Sequence, residues 1–249
     1  MSRINSIVGH FGSGKTEFAV NYVLDLKMQF EKIAIIDMDI ANPYFRSRER
    51  QSLMEEQGID IHFNTYGRDI SEDLPAISAT IRAPLENTDY KVVVDIGGND
   101  SGARIINQFQ KYFLVDDERM LAVLNLNRPD TETAELCIEM IRSIELETGI
   151  HIDGIINNTH LLRETTPDDI LFGYEICCDV SKKLGIPVFY NTCVKELIPE
   201  LLKAASEKGI TTRLLDVPNG IDNDGKTCEA GIMYIYPLTL QMRPTWLDR

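Results

Sequence analysis

The stretch Gly9-His10-Phe11-Gly12-Ser13-Gly14-Lys15-Thr16 fits the pattern G-x-x-x-x-G-K-[ST] at every fixed position. The pattern has a use only where a strand runs into a glycine turn that opens a helix, and the flanks supply both. The apolar run 4–8 reads as a strand, and Phe18, Ala19, Tyr22, Val23 and Leu26 recur at helical spacing. Glycines let backbone N–H groups turn inward around phosphate oxygens, and the helix N-terminus adds a favourable field. In that arrangement Lys15 offers its charge to the β- and γ-phosphates, and the Thr16 hydroxyl offers a ligand to Mg²⁺.

The rest of the chain alternates. Strand-like apolar runs at 33–36, 59–63, 92–96, 121–126, 152–156 and 187–190 are separated by helix-like segments. Those segments lie at 16–30, 46–57, 72–85, 102–112, 131–147, 168–184 and 195–208. Short, wholly apolar strands between amphipathic helices imply an α/β fold, a mostly parallel sheet with helices on both faces. A chain of 249 residues can form this as a single domain, 1–249, with its core at about 3–210. A turn-rich stretch, 217–231, then leads into an extended tail holding Tyr234, Tyr236, Leu238, Leu240 and Trp246. Pro237 and Pro244 exclude a membrane-targeting helix there, so the tail is expected to pack as an edge strand.

Ligands in such a sheet sit beyond the carboxyl ends of the strands. The second strand ends Ile36-Asp37-Met38-Asp39, and at its frayed end both carboxylates can reach a shared site. One can hold Mg²⁺ through water and the other can orient an attacking water. The fourth ends Asp95-Ile96-Gly97-Gly98. There Asp95 can support the metal shell, and the Gly98 N–H can sense a γ-phosphate.

Composition narrows the partners. The formal net charge of −14 lacks the basic footprint that nucleic acids and anionic lipids require. No apolar run approaches the roughly 20 residues of a membrane span. The early first strand leaves no room for a signal peptide, which points to the cytoplasm. Five cysteines, an odd number at irregular spacing, argue against a disulfide framework, and the four scattered histidines give metal binding by protein ligands alone little support.

Together, the Gly9–Thr16 loop, Asp37-x-Asp39, Asp95-x-x-Gly98 and Gly154-Ile155-Ile156-Asn157-Asn158 resemble the MinD/ParA branch of P-loop NTPases. That branch also includes the nitrogenase iron protein and the CobQ/CobB nucleotide-binding domains. The run Ile36-Asp37-Met38-Asp39-Ile40-Ala41-Asn42-Pro43-Tyr44-Phe45-Arg46 is similar to that of MinD-like ATPases of anaerobic bacteria. The resemblance implies an ATPase that binds ATP and Mg²⁺, turns over slowly and acts as a switch on a protein client, with a homodimer as a form open to it. It makes Lys15 and Asp39 catalytic, Asp39 by positioning the hydrolytic water, and assigns the metal to Thr16, Asp37 and Asp95. Nucleotide binding falls to Gly9, His10, Phe11, Gly12, Ser13, Gly14, Lys15, Thr16, Glu17 and Gly98, with Asn158 on the adenine.

Two departures keep other readings open. His10 stands where MinD-like proteins carry a second lysine that crosses a dimer interface, and neutral imidazole brings no fixed charge. The loop is also similar to that of metallochaperone GTPases, and Asn127-Arg128-Pro129-Asp130 approximates the guanine motif N-K-x-D, with Arg for Lys. A small-molecule kinase or ligase, as in dethiobiotin synthesis, would need an acceptor pocket involving Asn99, Asp100 and Tyr44. A binding module with negligible turnover is the last alternative. Arg46, Arg48 and Arg50 form the densest basic cluster and are switch candidates within 39–50, as is the segment 95–104.

Overall fold

The structure is a computed structural model that describes residues 2–39, 51–63, 81–98, 106–115, 117–216 and 231–241. Tyr44, Arg46, Arg48, Arg50, Asn99, Asp100 and Trp246 lie outside the described residues, as do most of both expected switch segments.

Nine strands form one sheet: β1 (Ile4–Gly9), β2 (Ile33–Asp37), β3 (Asp60–Phe63), β4 (Lys91–Gly97), β5 (Glu118–Leu124), β6 (Gly154–Asn157), β7 (Val188–Val194), β8 (Thr211–Leu214) and β9 (Ile232–Leu238). Their spatial order is β3-β2-β4-β1-β5-β6-β7-β9-β8, and every pairing is parallel. The described helices include α1 (Lys15–Lys27), α2 (Gln51–Glu56), α3 (Ala134–Thr148), α4 (Pro167–Leu184) and α5 (Ile198–Glu207). A parallel strand needs a crossover before its neighbour can follow, and these helices supply the crossovers that cover the sheet.

The strand period of two divides the core. Ile4, Val8, Val92, Val94, Ile96, Met120, Ala122 and Leu124 share one buried cluster with Ile141 and Ile144 of α3. Ile7, Ile33, Ile35, Val93, Leu121 and Val123 share the other with Phe18, Ala19, Tyr22, Val23 and Leu26 of α1. In β1, β2, β4 and β5 both faces are buried, so these strands read as apolar runs. Helix ends are marked in the sequence. Thr166 and Asp169 cap α4 reciprocally, and Gly149 and Gly185 close α3 and α4 in the left-handed region, φ 68° and 75°.

The C-terminal region departs from expectation. The tail does form a strand, β9, but β9 lies between β7 and β8, and the sheet edge belongs to β8. Residues 211–214, Thr-Thr-Arg-Leu, show no apolar alternation and are mostly exposed, so no periodicity marks this strand. Pro237 is accommodated inside β9 by parity. The Ile235 carbonyl accepts from Leu215 N at 3.0 Å, so Pro237, two residues on, faces the same side past the end of β8. No ladder donor is lost there.

β9 packs on α1 through aromatic rings. Tyr236 lies 5.2 Å from Phe18 and 5.6 Å from Tyr190, centroid to centroid. Its hydroxyl donates to the Asp25 carboxylate. Burial pushes the Asp25 carboxyl up from 3.8 to about 6, although the Tyr236 hydroxyl and Lys195 pull it down. Between those values the folded chain keeps a proton that the unfolded chain releases. Stability is therefore full below about pH 4 and falls as pH rises through about 6. Asp25→Asn keeps the acceptor for Tyr236 and removes the charge. It should flatten that fall and stabilise the fold at pH 7 by about 1 kcal/mol, after discounting for residual water contact. Denaturant midpoints at pH 4 and pH 7 measure it; an unchanged pH slope would place the titration on another group.

Candidate functional site

β1 ends at the centre of the sheet, between β4 and β5, where the chain order reverses. The glycine loop leaves it there. Gly12 and Gly14 both take left-handed backbone angles, φ 77° and 79°, which β-carbon-bearing residues adopt only with strain. Ser13 N donates to the His10 carbonyl at 3.1 Å, and Phe18 N reaches the Gly14 carbonyl at 3.0 Å, closing the first turn of α1. A helix start leaves N–H groups without intrahelical partners. Here no side chain caps them, so the loop can offer them to an anion.

Strand parity delivers the polar groups. Asp37 and Asp39 follow Ile33 and Ile35 at even steps, and Asp95 follows Val93. Asp37 and Asp95 therefore belong to the sheet face that carries α1, and Asp39, two residues past the end of β2, is brought to the same helix by its contact with Lys15. Asp39 lies just beyond β2, at the strand end where the sequence expects the two carboxylates to reach one site. Lys15 Nζ donates to the Asp39 carboxylate, and Thr16 Oγ1 donates to Asp95 Oδ2 at 2.6 Å. Asp39 N donates to Asp37 Oδ1 at 3.0 Å, and Met38 N reaches the Asp95 carbonyl at 2.8 Å. Lys15, Thr16, Asp37 and Asp39 are 4–7% exposed, and Asp95 is fully buried.

The electrostatics are strained by design of the site itself: one ammonium faces three carboxylates. Burial alone would lower the Lys15 ammonium; Asp95, Asp39 and Asp37 outweigh it and leave it raised. Burial raises the Asp95 carboxyl, with Lys15 and Thr16 holding it down and Asp39 pushing it further up. Asp95 Oδ1 is buried with no hydrogen-bond partner among the described residues. A hydroxyl beside carboxylates is the oxygen set that Mg²⁺ takes. Among the described residues no cluster of three or more His, Cys, Asp or Glu side chains can hold a metal alone. Mg²⁺ typically uses one or two carboxylates plus phosphate oxygens and water, so these residues fit it in company with a phosphate.

A second set of side chains holds the loop from behind. Asn158 Nδ2 donates to the Ser13 carbonyl at 2.6 Å, and its Oδ1 accepts from Thr192 Oγ1. The Gly12 carbonyl accepts from Asn125 Nδ2 at 3.2 Å and Arg128 Nε at 3.1 Å. Two consecutive loop carbonyls are thus drawn toward the ends of β5 and β6. Gly14 is fixed by the same packing: a β-carbon there would lie 2.3 Å from Asn158 Nδ2 and 3.1 Å from His160 Nε2. Burial and Arg128 lower the His160 imidazole to about 4, so it is neutral at pH 7. Its Nδ1 accepts from Leu162 N at 3.3 Å, which assigns the remaining proton to Nε2, the nitrogen beside Gly14.

The placement of the sequence candidates is uneven. Gly9, His10, Gly12, Ser13, Gly14, Lys15 and Thr16 form the loop, and Phe11 stands out from it at 70% exposure. Gly98 crosses the root of the loop so closely that a β-carbon would meet the Gly9 carbonyl at 2.5 Å. Glu17 turns away, its Oε1 accepting from Gln241 N at 2.5 Å. Asn158 lies under the loop, 5% exposed, with both ends of its amide engaged. The asparagine of the β5 end that reaches the loop is Asn125, whereas Asn127 donates to Asp169 of α4 at 3.3 Å. Asn125, His160 and Thr192 escaped sequence reasoning because single polar residues at strand ends carry no spacing signal.

Asn158→Ala tests the support. The loss of one hydrogen bond, about 1 kcal/mol, should weaken Mg-nucleotide binding about fivefold for ATP and GTP alike. A loss confined to ATP in paired titrations would instead place Asn158 on the base.

No protein-family model matches the chain, and no curated protein matches it in sequence. Among solved structures, chloroplast FtsY from Physcomitrella patens superposes with a TM-score of 0.50 at 19% identity over 76% of this chain. That match takes in 57% of the FtsY chain. The structure of FlhF complexed with GTP/Mg²⁺ gives 0.49 at 15% identity, over 76% of this chain and 64% of FlhF. The fold is that of a P-loop NTPase. The chain spans less than two thirds of the length of either neighbour. What makes the fold a P-loop NTPase is visible in the site: the glycine loop follows the central strand, and the acidic strand ends lie on either hand.

Proposed function

We propose that this P-loop NTPase binds Mg-ATP, hydrolyses it slowly and uses the γ-phosphate as a switch read by a protein client. The observation that carries the reading is the convergence of Lys15, Thr16, Asp37, Asp39 and Asp95 on one sheet face at the mouth of the glycine loop. A triphosphate brings four negative charges to a site that already holds three carboxylates. A divalent cation is therefore required for binding, and Thr16 with Asp95 is where it would be held, Asp37 supporting through water. Bound there, Mg²⁺ would neutralise charge on the β- and γ-phosphates. Lys15 meets the phosphates as a point charge. Asp39, beside Lys15, orients water toward the γ-phosphorus. The chain 1–249 acts as one such domain, in the cytoplasm. No described helix is long and apolar enough to cross a membrane.

ATP is favoured over GTP because two residues of the guanine-like motif are turned elsewhere: Asn127 toward Asp169 and Arg128 onto Gly12. GTP is the second reading, since the Asn158 amide is engaged under the loop and Asp130 is exposed just past β5. Isothermal titration of Mg-ATP and Mg-GTP should show the tighter affinity for ATP. Tighter GTP binding that Asp130→Ala abolishes would reverse the choice, because a carboxylate pairs with the guanine N1–H and amino group.

A further inference from the structure

The helix that carries Lys15 and Thr16 has an unusual inner stripe. Glu17, Asn21 and Asp25 recur every four residues and so share one face of α1. A helix packed on a sheet normally turns apolar side chains inward, yet Asn21 is 6% exposed. Each member of the stripe is occupied by the C-terminal end of the chain. Asp25 accepts from the Tyr236 hydroxyl in β9. Asn21 makes a reciprocated pair with the backbone of the residue after β9: its Nδ2 donates to the Thr239 carbonyl and its Oδ1 accepts from Thr239 N, both at 2.9 Å. Glu17 Oε1 accepts from Gln241 N at 2.5 Å. Asn21 Nδ2 also reaches the Glu17 carbonyl at 2.9 Å, tying the stripe together.

Past β9, residues 239–241 thus run along α1 toward the loop, and their last contact is on Glu17, one residue from Thr16 and two from Lys15. Nothing in the sheet requires this. β9 has ended at Leu238, and Thr239 is itself exposed on its side-chain face. We propose that residues 239–241 are a latch on the nucleotide-binding helix, so that docking of this segment and binding of nucleotide at the loop reinforce each other. The proposal rests on the nucleotide reading above. Its physical content is linkage: a latch that holds α1 where Lys15 and Thr16 meet phosphate and cation raises affinity, and bound nucleotide must in return strengthen the latch. The coupling cannot exceed the free energy of the contacts that differ. Backbone hydrogen bonds of this kind contribute about 0.5–1.5 kcal/mol each, which limits the effect of losing one to about twofold to tenfold and of losing two to about a hundredfold.

Two variants separate the latch from mere packing. Thr239→Pro removes the N–H that Asn21 accepts and leaves Asn21 in place. Asn21→Leu removes both halves of the pair and leaves the Thr239 sequence unchanged. Titration of Mg-ATP and Mg-GTP into wild type and variants, with thermal midpoints alongside, is the first measurement. Hydrogen exchange of the full-length wild type with and without saturating nucleotide is the second. The latch predicts a weaker affinity for both variants, by about threefold to tenfold. It also predicts slowed exchange at the Thr239 and Gln241 amides when nucleotide binds. Lower midpoints with unchanged affinity would overturn it. So would nucleotide protection of the loop that leaves the Thr239 and Gln241 amides unchanged, a result that needs no variant to fold. A wild type that binds neither nucleotide would overturn the nucleotide reading and the latch with it. A wild type that binds, with variants that match it, overturns the latch alone.

Discussion

Lys15→Ala is expected to weaken Mg-nucleotide binding by at least about tenfold and also to destabilise the fold. The first effect is the loss of a charge-assisted contact to phosphate, about 1.5–3 kcal/mol. The second follows from where the ammonium sits. Lys15 is 4% exposed, bonded to Asp39 and close to Asp95 and Asp37. Removing it leaves buried carboxylates without their cation, and breaking a buried pair from one side costs about 3–5 kcal/mol. The two effects separate in the double variant Lys15→Ala, Asp39→Asn. Stability should recover when the second charge goes, because the uncompensated carboxylate goes with it. Affinity should not recover, because no cation has been restored. Titration calorimetry and urea midpoints on the three proteins decide it, and equal affinity for wild type and Lys15→Ala would remove the basis of the nucleotide reading.

Asp39→Asn should separate binding from turnover. In the structure the Asp39 carboxylate holds the Lys15 ammonium, and that ammonium is also the group that must meet phosphate. Asp39 therefore competes with the nucleotide for Lys15. Loss of its charge should leave Mg-ATP affinity unchanged or raise it a few fold. Hydrolysis should fall by about a hundredfold or more, the usual scale for losing the group that positions or deprotonates a nucleophile. Single-turnover hydrolysis at saturating ATP isolates the chemical step from binding. A variant that binds and hydrolyses at the wild-type rate would mean that another group orients the water.

The two predictions rest on different kinds of legibility. Lys15 and Thr16 could be named from the sequence because the loop motif fixes both their spacing and their place at a helix start. Asp37, Asp39 and Asp95 could be named because apolar strands ended in carboxylates, but the sequence could not say that Asp39 would pair with Lys15 or Asp95 with Thr16. Those pairings depend on β4 lying between β1 and β2, a strand order set by long crossovers. Glu17 shows the limit from the other side. It follows the motif directly, which groups it with the nucleotide ligands, and no local pattern announces that its carboxylate accepts from Gln241 N, 224 residues away in sequence. The Asn158 amide is likewise taken up by Ser13 and Thr192, partners that no local pattern announces.

By itself the sequence determined the α/β class, eight of the nine strands, the glycine loop and the acidic strand ends, because each is written in local periodicity or fixed spacing. Only the tertiary structure decided that β9 sits inside the sheet with β8 as its edge, that Asn125, Arg128 and Asn158 hold the loop from behind, and that the polar stripe of α1 is filled by the end of the chain. The physical reason is common to all three. Hydrogen bonds between residues far apart in sequence depend on which strands become neighbours. That choice is made by packing apolar faces, whose pattern repeats from strand to strand and so does not encode a partner.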